Sequence, residues 1–159
     1  MFFWKRLLLN IKSKEVITGT AFATVYVHKD RVFKYYNSDI GYDSFLDFTK
    51  SYSSKHLPRV YNVWNHPLGG KIVEMEKLLP LDDAVMDKFY YNYDRATELG
   101  YYEKDPCLWE DIVEEGSLKK LMIKLWQHPF KGSWDLHGGN IMKIEDGTWV
   151  ITDPWAGNL

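Results

Sequence analysis

The spacing of apolar positions changes character near residue 80. Before it, short runs of β-branched and aromatic residues bounded by turn formers predict strands. They cover Glu15 to Ile17 and Phe22 to His28, on either side of Thr18-Gly19-Thr20-Ala21, and then Arg31 to Tyr36 after the turn His28-Lys29-Asp30. Ile40 to Tyr52 carries apolar residues at 45, 48 and 52, a helical spacing. Val60 to Trp64 follows Pro58 as a short strand, and Lys71 to Lys77 follows the turn His66-Pro67-Leu68-Gly69-Gly70. Beyond Pro80 the pattern turns helical, with Asp82 as a cap and Gly100 as a stop. Asp105-Pro106 interrupts it. Ser117 then caps a helix with Leu118, Leu121, Met122 and Leu125 on one stripe, ended by Pro129. Two short apolar strands around Glu145-Asp146-Gly147 close the chain as a hairpin. The order predicts an α+β protein in two lobes joined near Glu76 to Pro80. One lobe is an N-terminal antiparallel sheet plus one helix, the other a helical part with the small hairpin.

Composition narrows this picture. A length of 159 residues predicts a single domain, 1–159, with lobes 1–78 and 79–159. Aromatic residues make up 16%, so much of the core should be Phe, Tyr and Trp. A net charge of −2 gives no case for a nucleic-acid partner. The single cysteine, Cys107, excludes an internal disulfide framework and fits a reducing, cytoplasmic compartment. Lys5 and Arg6 interrupt the apolar start Met1 to Leu9, which is too short to span a bilayer, so no membrane span is expected. Acidic runs such as Glu110-Asp111 and Glu114-Glu115 read as solvated helix surface.

The hairpin carries the chemistry. Asp135 is followed five positions later by Asn140, at the start of the first strand, and the second strand runs Val150-Ile151-Thr152-Asp153-Pro154. A lone Asp-x-x-x-x-Asn means little, since turns favour both residues. A second aspartate delivered by the paired strand makes coincidence much less credible. Magnesium is hard and takes oxygen ligands, with phosphate and water completing its shell. Asn140 offers a neutral oxygen and Asp153 a charged one. Asp135, kept off the metal, can accept a proton from an attacking hydroxyl. The expected chemistry is phosphoryl transfer with ATP and Mg²⁺ as cofactors.

A nucleotide would then need a grip upstream. Thr18, Gly19, Thr20 and Phe22 lie in a small-residue turn between two strands, where a phosphate-covering loop would sit. Val25 follows at a position suited to pack on the base. Lys34 lies between apolar neighbours in the next strand and can aim a cation at phosphate; alone it would read as an exposed lysine. The acids available to orient it are Asp43 and Asp47, one turn apart. Backbone groups from Glu76 to Leu78 could pair with adenine.

Together these segments resemble the kinase superfamily and, more narrowly, the early serine/threonine protein kinase of short-tailed bacteriophages. Phe22 to Tyr26, Val32-Phe33-Lys34, Pro58 to Val63, and above all Asp135 to Met142 with Val150 to Pro154 carry the resemblance. It implies a minimal two-lobe kinase-like fold and an enzyme that phosphorylates host bacterial proteins in the cytoplasm of an infected cell and disables host functions. It implies Lys34 on phosphate, Asp135 as catalytic base, and Asn140 and Asp153 on magnesium. The chain departs from the family in several places. Ser133-Trp134 precede the catalytic aspartate where protein kinases have His-Arg. His137 stands where they carry a phosphate-contacting lysine, and histidine there is typical of aminoglycoside and choline phosphotransferases. The loop keeps only Gly19. Six residues follow Asp153, so an activation segment and the later helices of the C-terminal lobe are expected to be missing. Two other readings follow from these departures: a catalytically weak kinase-like protein that inhibits a host factor by binding, and a small-molecule phosphotransferase. A homo-oligomer could complete the acceptor side.

Overall fold

In the computed structural model, residues 16–18, 23–87, 90–91, 116–130, 132–136 and 139–157 are described. The chain forms two compact units, 1–39 with 58–77, and 40–57 with 78–159. It is a mixed α+β protein with an antiparallel sheet and few helices among the described residues.

The first unit is a five-stranded antiparallel sheet of β1 (Val16–Thr18), β2 (Ala23–His28), β3 (Arg31–Tyr36), β4 (Val60–Asn65) and β5 (Lys71–Glu76). Their order across the sheet is β1-β2-β3-β5-β4. β2 and β3 meet at His28 and Arg31 through Lys29 and Asp30, with Lys29 at a φ of 55°. That positive φ is set by the tight two-residue hairpin. Gly69 and Gly70 take φ of 97° and 79° in the turn between β4 and β5. A Cβ on Gly70 would strike the Tyr36 carbonyl, so both conformation and space call for glycine there. Phe33, Tyr36, Ile72, Val73 and Met75 are buried. Arg31 bonds Glu74 at 3.1 Å and lies 3.3 Å above the Tyr61 ring, while Asn62 donates to Glu74 at 2.6 Å. These ties join β3, β4 and β5 through their side chains.

The second unit begins with α1 (Ile40–Ser51). Phe45 and Phe48 of the expected stripe are buried, and the Tyr52 ring stacks on Phe48 at 5.3 Å. The sequence reading groups this helix with the sheet; in the structure it belongs to the second unit, where it packs on a strand near the chain's end. The reason is long-range. A Cβ on Gly41 would fall on the Trp155 carbonyl oxygen, so a glycine is what lets the helix lie against that backbone.

Three short strands, β6 (Leu79–Pro80), β8 (Ile141–Lys143) and β9 (Trp149–Ile151), form one antiparallel sheet in the order β6-β8-β9. The expected hairpin is β8 and β9. β6 is an addition that two residues of strand could not announce. Residues 83–87 are helical directly after Asp82, whose carboxylate is turned to Lys143 Nζ at 2.8 and 2.9 Å. Gly100 and Asp105-Pro106 lie outside the described residues. α2 (Gly116–Trp126) buries the whole expected stripe of Leu118, Leu121, Met122 and Leu125. β7 (Ser133–Trp134) pairs with β10 (Trp155–Ala156). No helix among the described residues is long and apolar enough to cross a membrane.

Candidate functional site

The site is built by backbone pairing at the end of the hairpin. Ile144 N–H donates to Thr148 C=O and Gly147 N–H to Ile144 C=O, each at 3.0 Å, with Gly147 at a φ of 88°. A closed turn followed by a left-handed glycine is a standard three-residue hairpin loop. The Asp146 carboxylate accepts from Thr148 N–H at 2.8 Å. That backbone bond, and then the Thr148 side chain, hold its carboxyl below the ordinary range. A lowered pKa in the folded state means the contribution is present at neutral pH and fades as pH falls through the lowered value.

From this turn, β8 and β9 pair Ile141 with Ile151, and Thr152 N–H donates to Asn140 C=O at 2.9 Å. Asp135 N–H donates to Pro154 C=O at 2.9 Å, and Trp134 pairs with Trp155. Asp153 therefore sits between one residue bonded to Asn140 and another bonded to Asp135. The two strands of the hairpin and the segment before it thus bring these three residues together through backbone bonds.

The Asn140 amide nitrogen donates to the Asp135 backbone carbonyl at 2.6 Å and to Asp135 Oδ2 at 3.2 Å. Asn140 is only 9% exposed. With the nitrogen turned to Asp135, the amide oxygen is the atom directed elsewhere, and it is the atom a hard cation takes. Asp153 is half-buried and supplies the charged oxygens. This oxygen donor set fits magnesium. Among the described residues no cluster of three or more His, Cys, Asp or Glu side chains is present.

The other expected site residues are distributed as follows. In the first unit, Lys34 on β3 lies opposite Val25 on β2 and Val73 on β5. Directly opposed residues share a face, so Lys34 stands in a row with two valines. Glu76 ends β5, donating its N–H to Arg59 C=O at 3.0 Å and accepting from Arg59 N–H on Oε1 at 2.8 Å. Lys77 N–H donates to Asp30 C=O at 3.0 Å. Those two amides are therefore committed within the sheet. Leu78 is buried and belongs to the second unit. Asp47 is paired with Lys50 at 2.7 Å on the exposed side of α1, whereas Asp43 is half-buried. The Thr18 backbone lies in β1; Gly19, Thr20, Phe22 and His137 lie outside the described residues.

Sequence reasoning passed over two buried residues next to these strands. His56 is fully buried beside β9, and Trp155 anchors β10. Neither stands in a motif, and their partners are remote in sequence. No family model matches the chain, and a search of curated proteins finds no match.

Proposed function

We propose that this protein is an ATP-dependent serine/threonine protein kinase of a bacteriophage, acting on host proteins in the cytoplasm of an infected cell. The observation that carries the reading is the joint placement of Asp135, Asn140 and Asp153, with the Asn140 amide bonded back to the Asp135 carbonyl. The antiparallel sheet with Lys34 in a valine row adds support.

On this reading Asp135 orients the acceptor hydroxyl and takes its proton as the oxygen bonds to the γ-phosphorus and the bond to the leaving ADP oxygen breaks. Asn140 and Asp153 would hold magnesium, which when bound offsets phosphate charge. Lys34 would neutralise the α- and β-phosphates, with Val25 against the base.

The test is incubation of the protein with labelled ATP and magnesium in bacterial lysate, beside Asp135→Ala. Label on a protein, lost in the variant, is expected. Label only on an added aminoglycoside or choline would move the assignment to small-molecule phosphotransfer. No transfer, with a host factor still inhibited, would make it a binding protein. Lys34→Met keeps the apolar stem and deletes the cation. It should lower transfer by about 10²-fold or more while the melting temperature stays close to that of the wild type. Full activity in Lys34→Met would reduce Lys34 to an ordinary strand lysine.

A further inference from the structure

β9 is an outer strand of its sheet, with β8 on its other side. Among the described residues, His56 meets its far edge. His56, between α1 and β4, is 0% exposed. Its carbonyl accepts from Ile151 N–H at 2.9 Å, and its ring Nδ1 lies 2.7 Å from Trp149 C=O. In an extended strand the C=O of one residue and the N–H two residues on face the same edge. His56 thus satisfies both groups, as a neighbouring strand would. The other ring nitrogen, Nε2, lies 2.8 Å from Ser117 Oγ in the first turn of α2. A carbonyl only accepts, so Nδ1 carries the proton, and Nε2 shares a hydrogen bond with the Ser117 hydroxyl.

We propose that His56 is a positioning residue for Asp153. It fixes the edge of β9, whose chain reaches Asp153 two residues beyond Ile151, and fastens that strand to the start of α2 through Ser117. The two ring nitrogens are bonded to two different elements, so the ring ties β9 to α2 as well as filling the space between them. What Asp153 does rests on the phosphotransfer reading; how it is held has a separate readout.

The experiment compares His56→Asn with His56→Gln in the full chain, with Asp153→Ala alongside. Asparagine carries an amide nitrogen close to the place of Nδ1 and can keep the bond to Trp149; glutamine reaches the place of Nε2 and loses it. In His56→Gln, amide hydrogen exchange at Ile151 and Thr152 should quicken by about 10-fold or more, with Phe48 in α1 unchanged. The magnesium concentration for half-maximal nucleotide binding should rise about 10- to 100-fold, the usual loss when a group behind a metal ligand is removed. His56→Asn keeps the bond to Trp149 and gives up the one to Ser117, so exchange should stay near wild type and the magnesium requirement should show only the smaller rise, about 2- to 10-fold. Equal effects of the two variants, or exchange that quickens alike in α1 and β9, overturn the proposal in favour of a general packing role. So does an unchanged magnesium requirement in His56→Gln when Asp153→Ala weakens it. If Asp153→Ala itself leaves magnesium-dependent binding intact, the phosphotransfer reading is what fails, and the exchange pattern alone decides His56. Should a ring variant not fold, Ser117→Ala keeps the ring and deletes only the Nε2 partner. A rise of about 2- to 10-fold in the magnesium requirement is then expected, and no rise overturns the proposal.

Discussion

Asp153→Ala is expected to abolish phosphotransfer and weaken magnesium-dependent nucleotide binding, whereas Asp135→Ala is expected to abolish transfer alone. The difference follows from the roles. Asp153 brings the only formal charge in the oxygen pair proposed to hold the cation, and a hard cation depends on that charge. On the proposed reading Asp135 accepts a proton and touches no phosphate, so its loss should cost about 10²- to 10⁴-fold in rate with little change in nucleotide affinity. The fold should survive both changes. The ties that bring the segments together run through backbone groups, Thr152 to Asn140 and Asp135 to Pro154, which alanine preserves. Single-turnover transfer measured beside magnesium-dependent ATP binding separates the two variants. Equal loss of binding in both would falsify the assigned roles.

Trp155→Ala is expected to cost about 3–5 kcal/mol, the range for deleting a large buried aromatic. Trp155 is 4% exposed. Its ring stacks on His128 at 4.7 Å and on Phe130 at 5.3 Å, and meets the rings of Phe45 and Phe48 nearly edge-on at 6.2 and 6.0 Å. Such pairs contribute beyond area burial, and the cavity left among the four remaining rings could not close easily. In a chain of this length the melting temperature should fall on the order of 10 °C. Trp155→Phe should recover most of the loss, and Leu68→Ala, at a position 89% exposed, should show almost none. Thermal unfolding of the three variants makes the comparison. A Trp155→Ala protein as stable as Leu68→Ala would remove the ring cluster from the account of the second unit.

The features legible in the chain were local. The α2 stripe of Leu118, Leu121, Met122 and Leu125 is a period that any helix must bury on one side, and all four are buried. The two site strands were readable because a short turn with Gly147 forces them to pair, which sets Asn140 beside Thr152 and puts Asp153 next in line. Strands β2 to β5 were likewise visible as β-branched and aromatic runs between turn formers. Folding added what depends on distant partners. His56 reaches across 93 positions to Trp149 and across 61 to Ser117, and no spacing rule in a single sequence links such residues. α1 reads as a neighbour of the sheet because it follows β3, yet Gly41 and the rings of Phe45 and Phe48 find Trp155 more than a hundred positions later. β6 has two residues and no period at all, and exists because β8 offers it an edge. Periodicity and turn chemistry act between near neighbours. Which buried face meets which, and which polar group closes a strand edge, is settled by packing of the whole unit.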